Sequence, residues 1–141
     1  MNKDWPTVAQ TGNSVNLKGS CLCGSIEYQI TGYARNIINC FCKQCRKTSG
    51  HYVAATRVSK DDFTLNEQST LSWFESSPNA FRGFCSQCGS NLFWDNVMNN
   101  EISIMAGTLD TPTGLETIEN IFVDSASDYY EIPFKLSTRL Q

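Results

Sequence analysis

Apolar and polar residues alternate along Ile26-Glu27-Tyr28-Gln29-Ile30 and again along Glu101-Ile102-Ser103-Ile104, the period of two that a half-buried strand requires. Tyr52 to Val58 is a run of small and β-branched residues, and Thr70 to Phe74, Asn91 to Trp94 and Ile118 to Val123 add three short segments rich in β-forming types. Clusters of Ser, Asn, Gly and Pro separate these segments at short intervals. The pattern predicts a mainly β fold with at most a helical turn near Lys43 to Thr48. It contains no fixed-period repeat, low-complexity run or linker, so residues 1–141 are expected to form a single domain, with the first dozen residues and Ser125 to Gln141 at its periphery.

Of the 141 residues, 40% are hydrophobic and 18% charged, enough apolar surface for a core and too little charge for a disordered segment. Eleven Lys and Arg against fourteen Asp and Glu leave a formal charge of −3, without the basic excess of a nucleic-acid footprint. The opening Met1-Asn2-Lys3-Asp4-Trp5-Pro6 has no basic stretch leading into an apolar run, and no apolar run reaches the roughly 18 residues of a membrane span. A cytoplasmic protein without membrane or nucleic-acid partners is expected, in a reducing compartment that keeps thiols free.

Free thiols matter because the chain has seven cysteines in three tight clusters, Cys21-x-Cys23, Cys40-x-Cys42-x-x-Cys45 and Cys85-x-x-Cys88. Cysteines one or two residues apart can aim both sulfurs at one tetrahedral ion, whereas joining them to each other strains the loop, so the pattern points to metal rather than disulfides. Glycine directly follows a cysteine in Cys23-Gly24 and Cys88-Gly89; its tolerance of positive φ lets the chain curl back and direct backbone N–H groups at a bound sulfur. Those two turns make one four-thiolate site and leave Cys40, Cys42 and Cys45 for a second. Spacing also allows a zinc-ribbon grouping of Cys42 and Cys45 with Cys85 and Cys88, which leaves Cys21, Cys23 and Cys40 over. Zinc is preferred to an iron–sulfur cluster because it needs no assembly pathway. Seven bound thiolates and two zinc ions take the formal charge to about −6.

The clusters stand in longer motifs: Gly19-Ser20-Cys21-Leu22-Cys23-Gly24, then Cys40-Phe41-Cys42-Lys43-Gln44-Cys45-Arg46-Lys47-Thr48-Ser49-Gly50, then Arg82-Gly83-Phe84-Cys85-Ser86-Gln87-Cys88-Gly89, then Ala106-Gly107-Thr108-Leu109-Asp110. Over roughly residues 19–123, in this order, they resemble the glutathione-dependent formaldehyde-activating enzyme and centromere protein V family. The resemblance implies a β-tent of small twisted antiparallel sheets. It implies a structural zinc on Cys21, Cys23, Cys85 and Cys88 and a catalytic zinc on Cys40, Cys42 and Cys45. It also implies carbon–sulfur lyase chemistry of the S-(hydroxymethyl)glutathione synthase type, on adducts of a small thiol such as glutathione and an aldehyde such as formaldehyde. The centromere-associated branch implies instead a non-catalytic, zinc-stabilised protein-binding module. Two positions depart from the family pattern: Phe41 stands in place of the His of a Cys-His-Cys cluster, and Asn120 in place of a His before the late strand. Phe41 is expected to line the pocket with an apolar ring and so to shift the substrate.

Three thiolates donate so much charge that a zinc they hold polarises water poorly, but an incoming thiol can take the open position and lose its proton there. That sulfur can attack an aldehyde to give a hemithioacetal, and the reverse reaction cleaves a carbon–sulfur bond. Around the triad, Lys43, Arg46 and Lys47 either hold carboxylates of the thiol or merely offset the thiolate charge. His51, the one histidine, is a proton donor, a fourth ligand or simply packed. Arg82 either reaches a substrate or, as expected of an arginine beside a structural zinc, satisfies carbonyls and thiolates there. Phe81, Phe84, Phe93, Trp73 and Trp94 are expected in the core, and Thr48-Ser49-Gly50 either ends a helical turn or offers backbone donors.

Overall fold

In the computed structural model, residues 12–132 and the backbone of 137–139 are described; residues 1–11, expected at the periphery, lie outside that range. The chain forms β1 (Gly12–Ser20), β2 (Ile26–Arg35), β3 (Ile37–Cys40), α1 (Lys43–Ser49), β4 (Val53–Ser59), β5 (Phe63–Gln68), β6 (Leu71–Ser77), β7 (Ala80–Cys85), β8 (Asn91–Asn96), β9 (Glu101–Met105), β10 (Thr117–Ile121) and β11 (Ser137–Arg139). β2 is the centre of a small antiparallel sheet between β1 and β5. The other strands follow the order β6-β7-β8-β9-β4-β3-β10-β11, and the two sheets join where Ala34 pairs with Val58. Pairing is antiparallel except at β10, which runs parallel to β3 and β11. The architecture is therefore mainly β and largely antiparallel, as the alternating pattern predicts. No helix among the described residues is long and apolar enough to cross a membrane.

The six strand segments read from the pattern correspond to β2, β4, β6, β8, β9 and β10. The four-residue β3 and three-residue β11 also fall outside it, and β1, β5 and β7 escape it for physical reasons. Ser14, Asn16 and Lys18 of β1 face water, leaving only Val15 and Leu17 as apolar signal. β5 is a solvent-facing edge strand with four of its six residues exposed beside half-buried Phe63 and Leu65, and β7 carries Arg82 and Gly83 at its middle.

Ile26, Tyr28 and Ile30 present the inner face of β2 to Leu92, Phe93, Ile102 and Ile104 of β8 and β9, forming the main core. Tyr28 meets Phe93 edge-on at 5.4 Å and Phe63 at 5.7 Å, and Phe63 meets Phe93 edge-on at 5.3 Å; such pairs add about 0.5–1.5 kcal/mol each beyond their burial. Gly19, paired with Tyr28 across β1 and β2, is required here because a Cβ would collide with the tyrosine's hydroxyl end. Cys21 and Cys85 are part of this core. Cys45 belongs to a separate, smaller cluster with Val53, Ala55 and Met105, against which Cys40, Cys42 and Trp94 pack. The cysteine groups therefore occupy two different environments.

Candidate metal centres

Two similar turns build the first group. Gly24 and Gly89 each have φ of 79°, a conformation glycine adopts without strain, and their N–H groups close the turns on the carbonyls of Cys21 at 3.2 Å and Cys85 at 2.8 Å. The curl brings backbone donors onto the sulfurs: Ile26 N–H donates to Cys21 Sγ at 3.3 Å and Cys88 N–H to Cys85 Sγ at 3.4 Å. The four sulfurs of Cys21, Cys23, Cys85 and Cys88 lie within 4.8 Å of one another. Hydroxyls surround them, Ser25 at 3.0 Å from Cys23, Thr70 at 3.1 Å from Cys85 and Ser90 at 3.3 Å from Cys88. Burial pushes the Cys85 thiol up, but hydrogen bonds from Thr70, Ser25 and the backbone of Cys88 and Gln87 outweigh it and bring it down to about 5. Four sulfur donors with no oxygen or nitrogen among them fit a closed tetrahedral site for a borderline-soft divalent ion.

The second group is built on α1. Cys40 closes β3, and Cys42 caps the helix from an extended conformation, its sulfur accepting the N–H of Cys45 at 3.3 Å and its carbonyl that of Arg46 at 2.9 Å. The helix stops at Gly50, whose φ of 85° and N–H to the Arg46 carbonyl form a left-handed cap. Thr48-Ser49-Gly50 thus terminates the helix, with Thr48 and Ser49 donating to the carbonyls of Gln44 and Cys45 at 2.8 and 2.7 Å. The sulfurs of Cys40, Cys42 and Cys45 lie within 4.8 Å of one another, so the cysteines gather as four and three rather than in the ribbon grouping. Hydrogen bonds from Cys40 and Cys45, aided by Arg82, drive the Cys42 thiol far down against its burial, while the same contacts and burial drive Cys40 up. Three sulfur donors can hold a divalent ion with one tetrahedral position left over.

This triad forms part of the wall of a cavity of about 200 Å³ that none of the first group's cysteines reaches. Val53, Ala55, Met105 and Ile121 make the wall apolar. Three arginines, 3% (Arg35), 3% (Arg57) and 4% (Arg82) exposed, also line it. Arg35 donates to the carbonyls of Asn36 at 3.1 Å and Ala55 at 2.8 Å. Arg57 donates to Ser103 Oγ at 3.3 Å and lies 5.7 Å over the Trp94 ring; burial lowers its pKa and Glu101 opposes that. The terminal nitrogens of Arg82 lie 3.8 and 3.9 Å from Cys45 Sγ, and reach Gln44 Oε1 at 3.3 Å and Thr48 Oγ1 at 3.4 Å. Phe122, at a left-handed φ of 56° unusual for an aromatic residue, turns the chain off β10 and into the same wall.

Several expected roles change. Arg82 serves the three-sulfur group and not the four-sulfur one, because side chains three positions apart on a strand leave opposite faces and Arg82 and Cys85 are so placed on β7. Phe41 does not line the cavity: it is fully buried, 4.7 Å from the Tyr52 ring and 6.1 Å from Tyr130, since a residue between two ligands points away from both. Asn120 is likewise fully buried and accepts a hydrogen bond from Asn39 at 3.1 Å. His51 stands outside both the triad and the cavity, its Nδ1 2.5 Å from the hydroxyl of Tyr129. The segment after Ser125, expected to be merely peripheral, supplies Tyr129 and Tyr130 to this aromatic group. Lys43 and Lys47 are exposed, Arg46 is half-buried, and none of the three lines the cavity. Trp94 is cavity wall, whereas Phe93 is core. Arg35 and Arg57 were not singled out in the sequence, although a charge inside the β-branched run Val53 to Val58 is the kind of signal that reveals a buried ionic site.

The profile of a protein family described as glutathione-dependent formaldehyde-activating enzyme matches residues 16–125. Among solved structures, a Rhodobacter sphaeroides protein determined as a structural-genomics target is similar with a TM-score of 0.53, covering 71% of this chain and 97% of that one at 21% identity; likeness at that identity concerns the fold. No curated protein matches the chain.

Proposed function

The chain belongs to the glutathione-dependent formaldehyde-activating enzyme family, and on that premise we propose that it is a zinc-dependent carbon–sulfur lyase acting on adducts of a small thiol and a small aldehyde. In this reading Cys21, Cys23, Cys85 and Cys88 hold a structural zinc, and Cys40, Cys42 and Cys45 a catalytic one. One observation carries it: the three-sulfur group opens onto a cavity, whereas the four-sulfur group lines no part of it and has two of its cysteines, Cys21 and Cys85, in the core. A divalent ion held by Cys40, Cys42 and Cys45 would leave one position open and would supply the charge that favours ionisation of a guest thiol.

The rest falls to the chain's own residues. Val53, Ala55, Met105 and Ile121 give the cavity an apolar wall, beside which charge interactions are stronger than in water. Arg82, 3.8 Å from Cys45 Sγ, offsets the negative charge of the triad and limits the ways a guest can enter. In the synthetic direction the thiol sulfur forms a bond to the aldehyde carbon and the thiol proton ends on the former carbonyl oxygen, giving a hemithioacetal. The reverse returns that proton to sulfur as the carbon–sulfur bond breaks, with no oxidant or reductant consumed. The cavity of about 200 Å³ is smaller than the roughly 300–1,000 Å³ pockets that enclose drug-sized ligands, so a tripeptide thiol such as glutathione can insert only its cysteinyl arm.

Metal analysis of the purified protein should find two zinc ions per chain, one removed by mild chelation well before the other. NMR exchange spectroscopy of formaldehyde with a small thiol should show hemithioacetal exchange accelerated by the doubly loaded protein. One inert zinc, or no acceleration with both ions bound, refutes the proposal.

A further inference from the structure

We infer that the guest thiol is an acid: the cavity carries a carboxylate subsite built on Arg82 and supported by Arg35 and Arg57, and its preferred occupant is a short mercapto-carboxylate. The inference rests on the thiol–aldehyde reading above and specifies its substrate class. Among the described residues lining the cavity there are three arginines and no Asp or Glu. Arg82 is the least satisfied of them. It is 4% exposed, its contacts are all 3.3 Å or longer, none is to a carboxylate, and its Nε is buried without a hydrogen-bond partner. A guanidinium cannot shed its charge, so burying it this loosely is costly unless an anion completes its set of acceptors.

The triad does not supply enough negative charge to do so. Three thiolates with a divalent ion would carry a net charge of about −1, and Arg82 meets that group only through Cys45 Sγ, at 3.8 and 3.9 Å. The flat fork of a guanidinium matches a carboxylate edge-on. Geometry sets the length of the guest: Arg82 stands 3.8 Å from the sulfur of Cys45, and both face one small cavity, so sulfur and carboxylate must be separated by only two or three carbons. Val53, Ala55, Met105 and Ile121 then cover that stem.

Calorimetric titration of the zinc-loaded protein with 3-mercaptopropionate, with its near-isostere 3-mercaptopropanol and with propionate tests the subsite. One buried charge-assisted contact predicts that the acid binds roughly 10- to 100-fold tighter than the alcohol. Arg82→Gln should erase that preference, leaving acid and alcohol with equal affinities, and Arg82→Lys should restore part of it. Equal affinities for the two thiols in the unaltered protein, a comparison that needs no variant to fold, overturn the subsite and leave the thiol reading standing. Binding of neither thiol nor propionate overturns both. Propionate binding, with neither thiol bound, retains the anion site and overturns the thiol reading. A preference undiminished in a folded Arg82→Gln protein overturns the assignment to Arg82.

Discussion

Replacing Cys42 by serine separates the fold from the proposed chemistry. Cys42 is the N-cap of α1, its sulfur accepting the Cys45 N–H at 3.3 Å. Serine is among the best residues at that position, and exchanges between good and poor caps are worth about 0.5–2 kcal/mol, so the helix start is kept or improved. The residue is half-buried and packs against the small cluster of Cys45, Val53, Ala55 and Met105, away from the main core. Losing the larger sulfur there forfeits little packing, and the two terms leave unfolding free energy within about 1 kcal/mol of the original. For a domain of this size that is a shift in Tm of no more than about 4 °C. The chemistry changes far more, because a serine hydroxyl does not ionise near neutral pH and the triad falls to two soft donors. Circular dichroism melts, metal analysis and NMR exchange on one sample should give a nearly unchanged Tm, one zinc where there were two, and turnover reduced by roughly two orders of magnitude or more. A Tm lowered by about 10 °C or more would place Cys42 in the structural framework; two retained zinc ions with full turnover would remove the triad from the reaction.

Cys85→Ser should behave in the opposite way: the first group ties Cys23 to a residue 62 positions later, a closure worth about 4 kcal/mol on the chain-entropy account, and a urea titration showing a loss below about 1 kcal/mol would refute that role. Burial raises the pKa of Tyr28, with Thr108 opposing, so its contribution to stability is intact below about pH 10, where folded and unfolded chains both keep the proton, and is lost as pH rises further because the unfolded chain ionises first. Urea midpoints should therefore fall above that pH, and fall less in Tyr28→Phe; equal slopes in the two proteins would contradict it. Phe41→His, which puts back the family residue, inserts a polar ring into a fully buried aromatic contact and should cost about 1–3 kcal/mol of stability. It should leave the relative affinities for acid and neutral thiols unchanged in the same titrations, and a changed ratio would show that position 41 reads the guest.

What could be read from the sequence depended on how locally each feature is encoded. β2 is legible because one face meets the core and the other does not, so the period of two survives in Ile26, Tyr28 and Ile30; β9, buried on both faces, keeps it because polar Glu101 and Ser103 alternate with Ile102 and Ile104. The cysteine groups are legible because each half of a site is a single turn, even though the pairing of halves needed more than spacing. Arg82 was assigned to the wrong centre for the complementary reason. It is three residues from Cys85, but its destination depends on which face of β7 packs on α1, a tertiary fact that neighbouring sequence does not carry. β10 shows the same limit: its apolar run signals a strand but says nothing of the parallel pairing with β3 that sets Ile121 beside Cys40 and into the cavity wall.

The two departures from the family pattern therefore bear on the site differently from what their residue types suggest. Phe41 and Asn120 are both fully buried, and both point away from the cavity; one holds the aromatic group of Tyr52 and Tyr130 over the helix, and the other ties β10 to β3 through Asn39. Replacing an imidazole at such positions removes a titratable group from the framework behind the triad without altering what a guest touches. Polarity inside the cavity comes from β2, β4 and β7 instead, each contributing one arginine from its middle or end. Two of those strands, β2 and β4, meet where the sheets join, and β7 lies within the longer sheet, whereas the triad sits where β3 ends and α1 begins. In the proposed reading, guest selection therefore belongs to arginines of the sheet and bond making to the sulfurs at the junction of β3 with α1.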